Sequence, residues 1–385
     1  MTDFTFDTTP SIVSRFGAAA ALAPIVVPLL GSRIALVTDR GVRGLGLVDG
    51  ALASLAGAGV SVLVIDHVAA DPPERDVLEA AAAIRDHGAT GVLAIGGGSP
   101  MDVAKVAALV ARSGEPLAGA YGIGQARGPR LPLVLVPTTA GTGSEVTPIA
   151  ILTTGAAEKK GIVSPLLLPD LAVLDAELTL GLPPAVTAAT GVDAMVHAIE
   201  AYASASPRNN PVSRGLARQA LRLLGANIRL ATHEGHRREA RAAMLLGSLL
   251  AGQAFANSPV AAVHALAYPL GGHFHVPHGL SNALVLPHVL RFNLPAASAV
   301  YAEIAADAFP DLASVPEPRR AEAFVVALTA LAADLGLPPG LAAAGIPEAA
   351  LPMLAADAMK QTRLLVNNPR PLTEGDALAI YRQAF

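Results

Sequence analysis

The chain has 385 residues, 52% of them hydrophobic and only 15% charged, which is enough apolar material for two cored domains. A net charge of −4 leaves no basic footprint for a nucleic-acid partner. There is no cysteine, so disulfides and thiolate metal ligands are excluded, in keeping with a reducing cytoplasm.

The first apolar run, 16–32, contains Pro24 and Pro28 and follows an acidic flank of Asp3 and Asp7. It reads as a helix and loop leading into a strand, not as a signal peptide. Strands are expected at Arg33–Thr38, Val60–Ile65, Gly91–Ile95, Leu133–Val136 and Ala172–Leu174. Helices are expected between them at Val42–Ala58, Asp76–His87 and Pro100–Ser113. That alternation implies a mostly parallel sheet covered on both faces. Gly155–Gly161 reads as the exposed turn of a hairpin.

From about Leu182 only helical periodicity remains, over 184–204, 210–231, 237–256, 259–269, 279–292, 296–308, 319–336, 347–360 and 373–384. The expected organisation is an α/β domain over 1–180 and an all-helical domain over 181–385. No Asp, Glu, Lys or Arg occurs between Arg241 and Arg291, yet His264, His273, His275, His278 and His288 all fall there. The stretch is long enough to cross a membrane, but Pro259, Pro269, Pro277 and Pro287 break it. A soluble helical core is expected, with no membrane partner.

Gly96-Gly97-Gly98-Ser99 follows a strand and opens a helix. Glycines admit a phosphate close to the backbone, and the helix N-terminus offers free N–H groups. The plain alternative is a tight strand-to-helix turn. Asp39 ends the first strand, where a carboxylate can accept from a ribose diol and repel a 2′-phosphate, favouring NAD over NADP. It could equally cap the next helix, and Arg40 and Arg43 could each bind a 2′-phosphate. The loop Pro137 to Glu145 brings hydroxyls and amides to the carboxyl end of the sheet, although a polar loop would look the same.

Asp193 and His197 are four apart on a predicted helix and so project from one face. Imidazole and carboxylate together make half of a metal site, or simply a buried hydrogen bond. Further ligands are available among His264, His273, His275 and His278, and spacing alone does not choose between them. For His264 to meet His278 the chain must turn back, and Pro269-Leu270-Gly271-Gly272 is the expected turn.

Four segments carry a resemblance. They are Gly96-Gly97-Gly98-Ser99-Pro100-Met101-Asp102-Val103-Ala104-Lys105, Pro137 to Glu145, Thr190 to Glu200 continuing to Tyr202, and His264 to Gly279. In this order, and reaching Asn367-Asn368-Pro369, they resemble the iron-dependent (group III) alcohol dehydrogenases of the dehydroquinate synthase-like superfamily. The resemblance implies a dinucleotide-binding α/β domain, a helical domain and an active site in the cleft between them. It implies Asp193, His197, His264 and His278 as ligands of Fe(II) or alternatively Zn(II). It also implies phosphate contacts from Gly97, Gly98 and Ser99, and cofactor contacts from Asp102, Thr138, Thr139, Thr142 and Lys160. Asp39 falls at the NAD-versus-NADP position.

The implied chemistry is hydride transfer between the nicotinamide and an alcohol or aldehyde whose oxygen the metal polarises. Many members carry a His four residues after the third ligand, where this chain has Tyr268; Tyr268, His273 or His275 would then serve the proton relay. His288 reads as a structural core histidine. Ile149, Phe255 and Leu364 are implied as pocket residues. Arg363 lies beside Leu364, either holding a substrate carboxylate or facing outward. A reductase of a keto or semialdehyde acid is the close alternative, and an inactive nucleotide- and metal-binding sensor the distant one. The family implies a homodimer or higher homo-oligomer.

Overall fold

A computed structural model of the chain describes residues 3–155 and 158–385. They group into two compact units, Asp7–Leu180 and Gly181–Phe385, the second joined by the segment ending at Phe6.

The α/β unit runs β1 (Ile12–Ser14), α1 (Ala23–Leu30), β2 (Arg33–Val37), α2 (Arg40–Gly44), α3 (Asp49–Gly57), β3 (Ser61–Ile65), α4 (Glu74–His87), β4 (Gly91–Gly96), α5 (Gly98–Ser113), β5 (Gly122–Ile123), β6 (Leu133–Pro137), β7 (Ile149–Thr154), β8 (Glu158–Val163) and β9 (Leu171–Leu174). The main sheet has the order β1-β9-β6-β4-β2-β3, and every pairing in it is parallel. Side chains alternate across it with period two. Ile34, Leu36, Leu93, Ile95, Val134 and Val136 form one apolar layer with α1 and α3. Ala35, Val37, Val92, Ala94, Leu133 and Leu135 form the other with α4 and α5.

A smaller sheet, β5-β8-β7, holds the expected hairpin: β7 and β8 are antiparallel. Ala156 and Ala157 of its turn lie outside the described residues. Two details differ from expectation. The helix expected over 42–58 is two helices, because Gly46 at φ +72° turns the chain between α2 and α3. The short strand β1, three residues long beside β9, has too few positions to show a period.

Among the described residues of the second unit every regular element is helical: α6 (Pro184–Ala203), α7 (Pro211–His233), α8 (Arg238–Asn257), α9 (Ala262–Phe274), α10 (His278–Ala308), α11 (Glu317–Asp334), α12 (Leu351–Ala358), α13 (Thr362–Leu365) and α14 (Glu374–Ala384). The expected turn at Pro269–Gly272 is not there. Helix α9 runs through Pro269 and stops at His275, which takes the left-handed conformation at φ +54°. Likewise the two helices expected over 279–292 and 296–308 are one, α10, with Pro287 and Pro295 inside it.

A proline removes one helical hydrogen bond. Here buried neighbours on both sides, Leu266 and Leu270 in α9 and Leu290, Asn293 and Ala297 in α10, keep the helices continuous. By length and composition α10 alone, among the described residues, could cross a membrane; half of its apolar window is buried.

Candidate metal centre and nucleotide cavity

Helix α6 opens on Pro184, whose fixed φ suits the first turn, and its Ala-rich interior buries nearly every residue from Thr187 to Tyr202. Asp193, His197 and Glu200 follow at intervals of four and three, so all three lie on one face. Helix α9 contributes His264 from its first turn, and α10 contributes His278 as its first residue. The close approach of α10 to α6 needs Gly279. A Cβ there would stand 2.5 Å from the Ala189 carbonyl oxygen and 3.3 Å from the Asp193 Cβ.

One ligand atom from each of Asp193, His197, His264 and His278 lies within 4.8 Å of the others. The Asp193 Oδ1 is 3.9 Å from the His264 Nε2 and 3.8 Å from the His278 Nε2. Donors bound at about 2.1 Å to a single ion stand roughly 3–4.2 Å apart, so spacings of 3.8 and 3.9 Å suit one ion. The Nε2 of His264 is buried and has no hydrogen-bond partner, an arrangement that is costly unless something else satisfies it. Three imidazoles and a carboxylate suit Fe(II) or Zn(II). The residues present therefore fit a divalent ion.

Burial pushes the Asp193 carboxyl up, but His197, His278 and His264, with the Asn282 amide, outweigh that and hold it below the usual carboxylate range. Asn282 donates to Asp193 Oδ1 at 2.6 Å. Phe255 stacks on His197 with ring centroids 4.3 Å apart, closing that face to water. His278 is the exposed ligand, its side chain 40% accessible. Tyr268 lies one turn after His264, its ring 5.9 Å from that of His278.

In the α/β unit a cavity of about 710 Å³ is lined by Asp39, Arg40, His67, Gly97, Gly98 and Ser99, among others. It lies at the carboxyl ends of β2 and β4 and at the N-terminus of α5, where parallel sheets bind nucleotides. Asp39 is both a helix cap and a cavity residue. Its Oδ1 caps α2 by accepting from Val42 N at 2.9 Å, and the residue lines the cavity. Arg43 is engaged by Asp66. Thr142 packs over the loop: a Cβ on Gly98 would come within 3.0 Å of its Cγ2, and one on Gly97 within 3.7 Å of Thr139 Oγ1. Thr138 is buried, its N–H donating to Gly96 O at 2.9 Å.

Both Asp102 oxygens are taken by protein donors, Ser144 Oγ at 2.7 Å and Ile151 N at 2.9 Å. Asp102 thereby braces the loop. Beside it Lys105, fully buried, donates to Ser144 Oγ, Thr147 Oγ1 and the Ile149 carbonyl at 2.8, 3.1 and 2.8 Å. Burial pulls its pKa down to about 8 despite Asp102 and Glu145.

Lys160 is half exposed on β8 and pairs with Glu158 at 3.2 Å. Ile149 is partly buried at the start of β7. Leu364 is wholly buried on α13, and its neighbour Arg363 is half-buried. His273 is drawn off to Asp357, and His275 is the αL cap of α9, so neither joins the cluster. His288, on α10, is depressed to about 4 by burial and then by Arg291, as a structural histidine would be. Sequence reasoning gave no role to Glu200, Asn282, Gly279 or Lys105. Only Glu200 had a readable signal, its place one turn after His197.

A nucleotide cavity on a parallel sheet and a cation cluster on helices are the equipment of a metal-dependent, nicotinamide-linked dehydrogenase. Residues 9–176 match the family model described as iron-containing alcohol dehydrogenase, and 187–385 match the C-terminal model of the Fe-containing alcohol dehydrogenase family. The chain belongs to the iron-containing alcohol dehydrogenase family and has its dehydroquinate synthase-like fold.

It is 41% identical over 373 residues to the long-chain-alcohol dehydrogenase 1 of Geobacillus thermodenitrificans, covering 96% of this chain and 94% of that one. The crystal structure of a 1,3-propanediol oxidoreductase superposes with TM-score 0.95 at 38% identity, covering all of both chains. A sulfoacetaldehyde reductase from Bifidobacterium kashiwanohense, solved with NAD+, gives TM-score 0.88 at 29% identity, covering 100% of this chain and 99% of that one.

Proposed function

We propose that this enzyme holds one divalent ion, Fe(II), on Asp193, His197, His264 and His278, and uses NAD to interconvert a small alcohol and its aldehyde or ketone. The observation that carries this reading is the donor cluster, three of its four members buried, with its unpartnered His264 Nε2. When bound, the ion supplies a Lewis acid for the substrate oxygen. Asp193 brings the one negative charge among the four ligands, so the loaded centre keeps net positive charge. Phe255 keeps water off His197, and the exposed edge of His278 marks the open side of the cluster.

In the α/β unit, the free N–H groups at the start of α5 receive the cofactor pyrophosphate, while Asp39 accepts from the ribose diol. Tyr268 is the candidate proton carrier beside His278. The solved relative that holds NAD+ supports the choice of nucleotide. The same donors accept Zn(II), and Arg40 and Arg75 in the cavity could meet a 2′-phosphate, so both metals and both nucleotides need comparison. A cytoplasmic homodimer completes the proposal, the cysteine-free composition supporting the compartment.

The test is reduction of an aldehyde, ketone and semialdehyde-acid panel with NADH and NADPH. Protein purified without oxygen is assayed before and after chelation. The expected result is stoichiometric iron, loss of activity on chelation, and recovery with Fe(II). His264→Ala and His278→Ala should each lose activity by about two orders of magnitude or more. Full activity in metal-free protein would overturn the proposal.

A further inference from the structure

Glu200 is buried one turn beyond His197 and reaches across to His264. Its Oε2 lies 2.6 Å from His264 Nδ1, and its Oε1 accepts from Val263 N at 2.7 Å. Both partners of this carboxylate sit in the first turn of α9, where N–H groups have no acceptor within the helix. Helix α9 has no side-chain cap of its own, so Glu200, reaching across from α6, supplies the missing acceptor and offsets the positive helix end.

We propose that Glu200 is a positioning residue that fixes the tautomer of His264. A carboxylate can only accept, so the Nδ1 must carry the ring proton, and the Nε2 then presents its lone pair toward Asp193. Two donors from adjacent residues face Glu200, and only a group with two acceptor oxygens satisfies both. A glutamine has the same shape but one acceptor. It leaves the Val263 N–H facing an amide NH2, or it donates to His264 Nδ1 and moves the ring proton to Nε2, on the ligating side. Glu200 thus prepares the centre for a cation before one arrives. Its charge adds to that of Asp193 beside the cation site, where the sequence from 242 to 290 contributes no Asp, Glu, Lys or Arg.

The inference rests on the metal reading above, so the experiment separates the two. ¹⁵N-histidine spectra of the metal-free protein, with His264→Ala assigning the signal, report the His264 tautomer directly. Zn(II) affinity is measured by chelator competition for the wild type and Glu200→Gln. Circular dichroism and NAD affinity check that the variant is folded. We expect the Nδ1–H tautomer in the wild type, a shift toward Nε2–H in Glu200→Gln, and Zn(II) binding weakened by about 10–100-fold. A wild-type Nε2–H tautomer, or a folded Glu200→Gln that binds Zn(II) as the wild type does, overturns the proposal. If the wild type binds no metal, the metal reading fails and the tautomer decides this one. If Glu200→Gln does not fold, the wild-type spectrum still decides it.

Discussion

Replacing Gly279 by alanine adds a single methyl group, yet the geometry makes it a test of how the metal centre is assembled. In an open helical position the change stabilises by about 1 kcal/mol, since alanine is the better helix former. At 279 the new Cβ would stand 2.5 Å from the Ala189 oxygen and 2.8 Å from its carbon, where ordinary contact begins at 3.4 Å. The obstacle is the backbone of α6, which cannot rotate aside as a side chain would. One helix must retreat by about 1 Å, and such overpacking costs roughly 1–3 kcal/mol.

Overpacking therefore wins over propensity, and the displacement falls between His278 and Asp193. A shift of that size at a reacting centre costs about 100-fold in rate. The measurements are kcat/KM with the preferred alcohol, metal affinity by chelator competition, and urea unfolding. Gly215→Ala on α7, where nothing lies within 4 Å, is the control and should be neutral or stabilising. If Gly279→Ala matches the wild type in metal affinity and rate, the close approach of α10 to α6 does not position His278.

Lys105→Met removes a buried cation from beside the partly buried Asp102 and the buried Glu145, and should lower urea-unfolding stability by about 3–5 kcal/mol; a loss under about 1 kcal/mol would show that the network is expendable. His288 has its folded pKa depressed from 6.5 to about 4, so the unfolded chain takes a proton that the folded one refuses. Its contribution is present above pH 6.5 and lost as pH falls through 4. His288→Leu should flatten the fall of the urea midpoint across that window, and an unchanged slope would refute the assignment. Asp39→Ser keeps an acceptor for the Val42 N–H while removing the charge. It should raise the NADPH-to-NADH ratio of kcat/KM by about tenfold, the ~1.4 kcal/mol of one screened charge pair; an unmoved ratio would take Asp39 out of nucleotide choice.

Legibility in the sequence followed periodicity. The five expected strands and the intervening helices of the α/β unit are visible because apolar β-branched runs and Ala-rich runs alternate with different periods. What failed was punctuation. Gly46 broke a helix that reads as continuous, whereas Pro269 and Pro295 did not break helices that read as interrupted. A proline costs one hydrogen bond locally, but Leu266, Leu270, Leu290 and Ala297 are buried by partners far away in the chain, and no local rule counts those contacts.

The metal centre shows the same division more sharply. Asp193 and His197 could be paired from their spacing alone, because a helix converts an interval of four into one face. His264 and His278 could not be chosen from spacing, because what selects them is where α9 and α10 begin. His273 and His275 were equal candidates by composition, and they are excluded because α9 continues five residues past its proline. That extension carries His273 to Asp357 and leaves His275 as the helix cap. The selection thus rests on a helix end that the proline appeared to set and that packing set elsewhere. Glu200 and Gly279 are further steps along the same line. Neither ligates anything, but one orients a ligand on the second helix and the other lets the third helix close on the first. Residues of this kind are silent in a single sequence because their role is defined by a partner helix, and the variants at both positions test whether that definition holds.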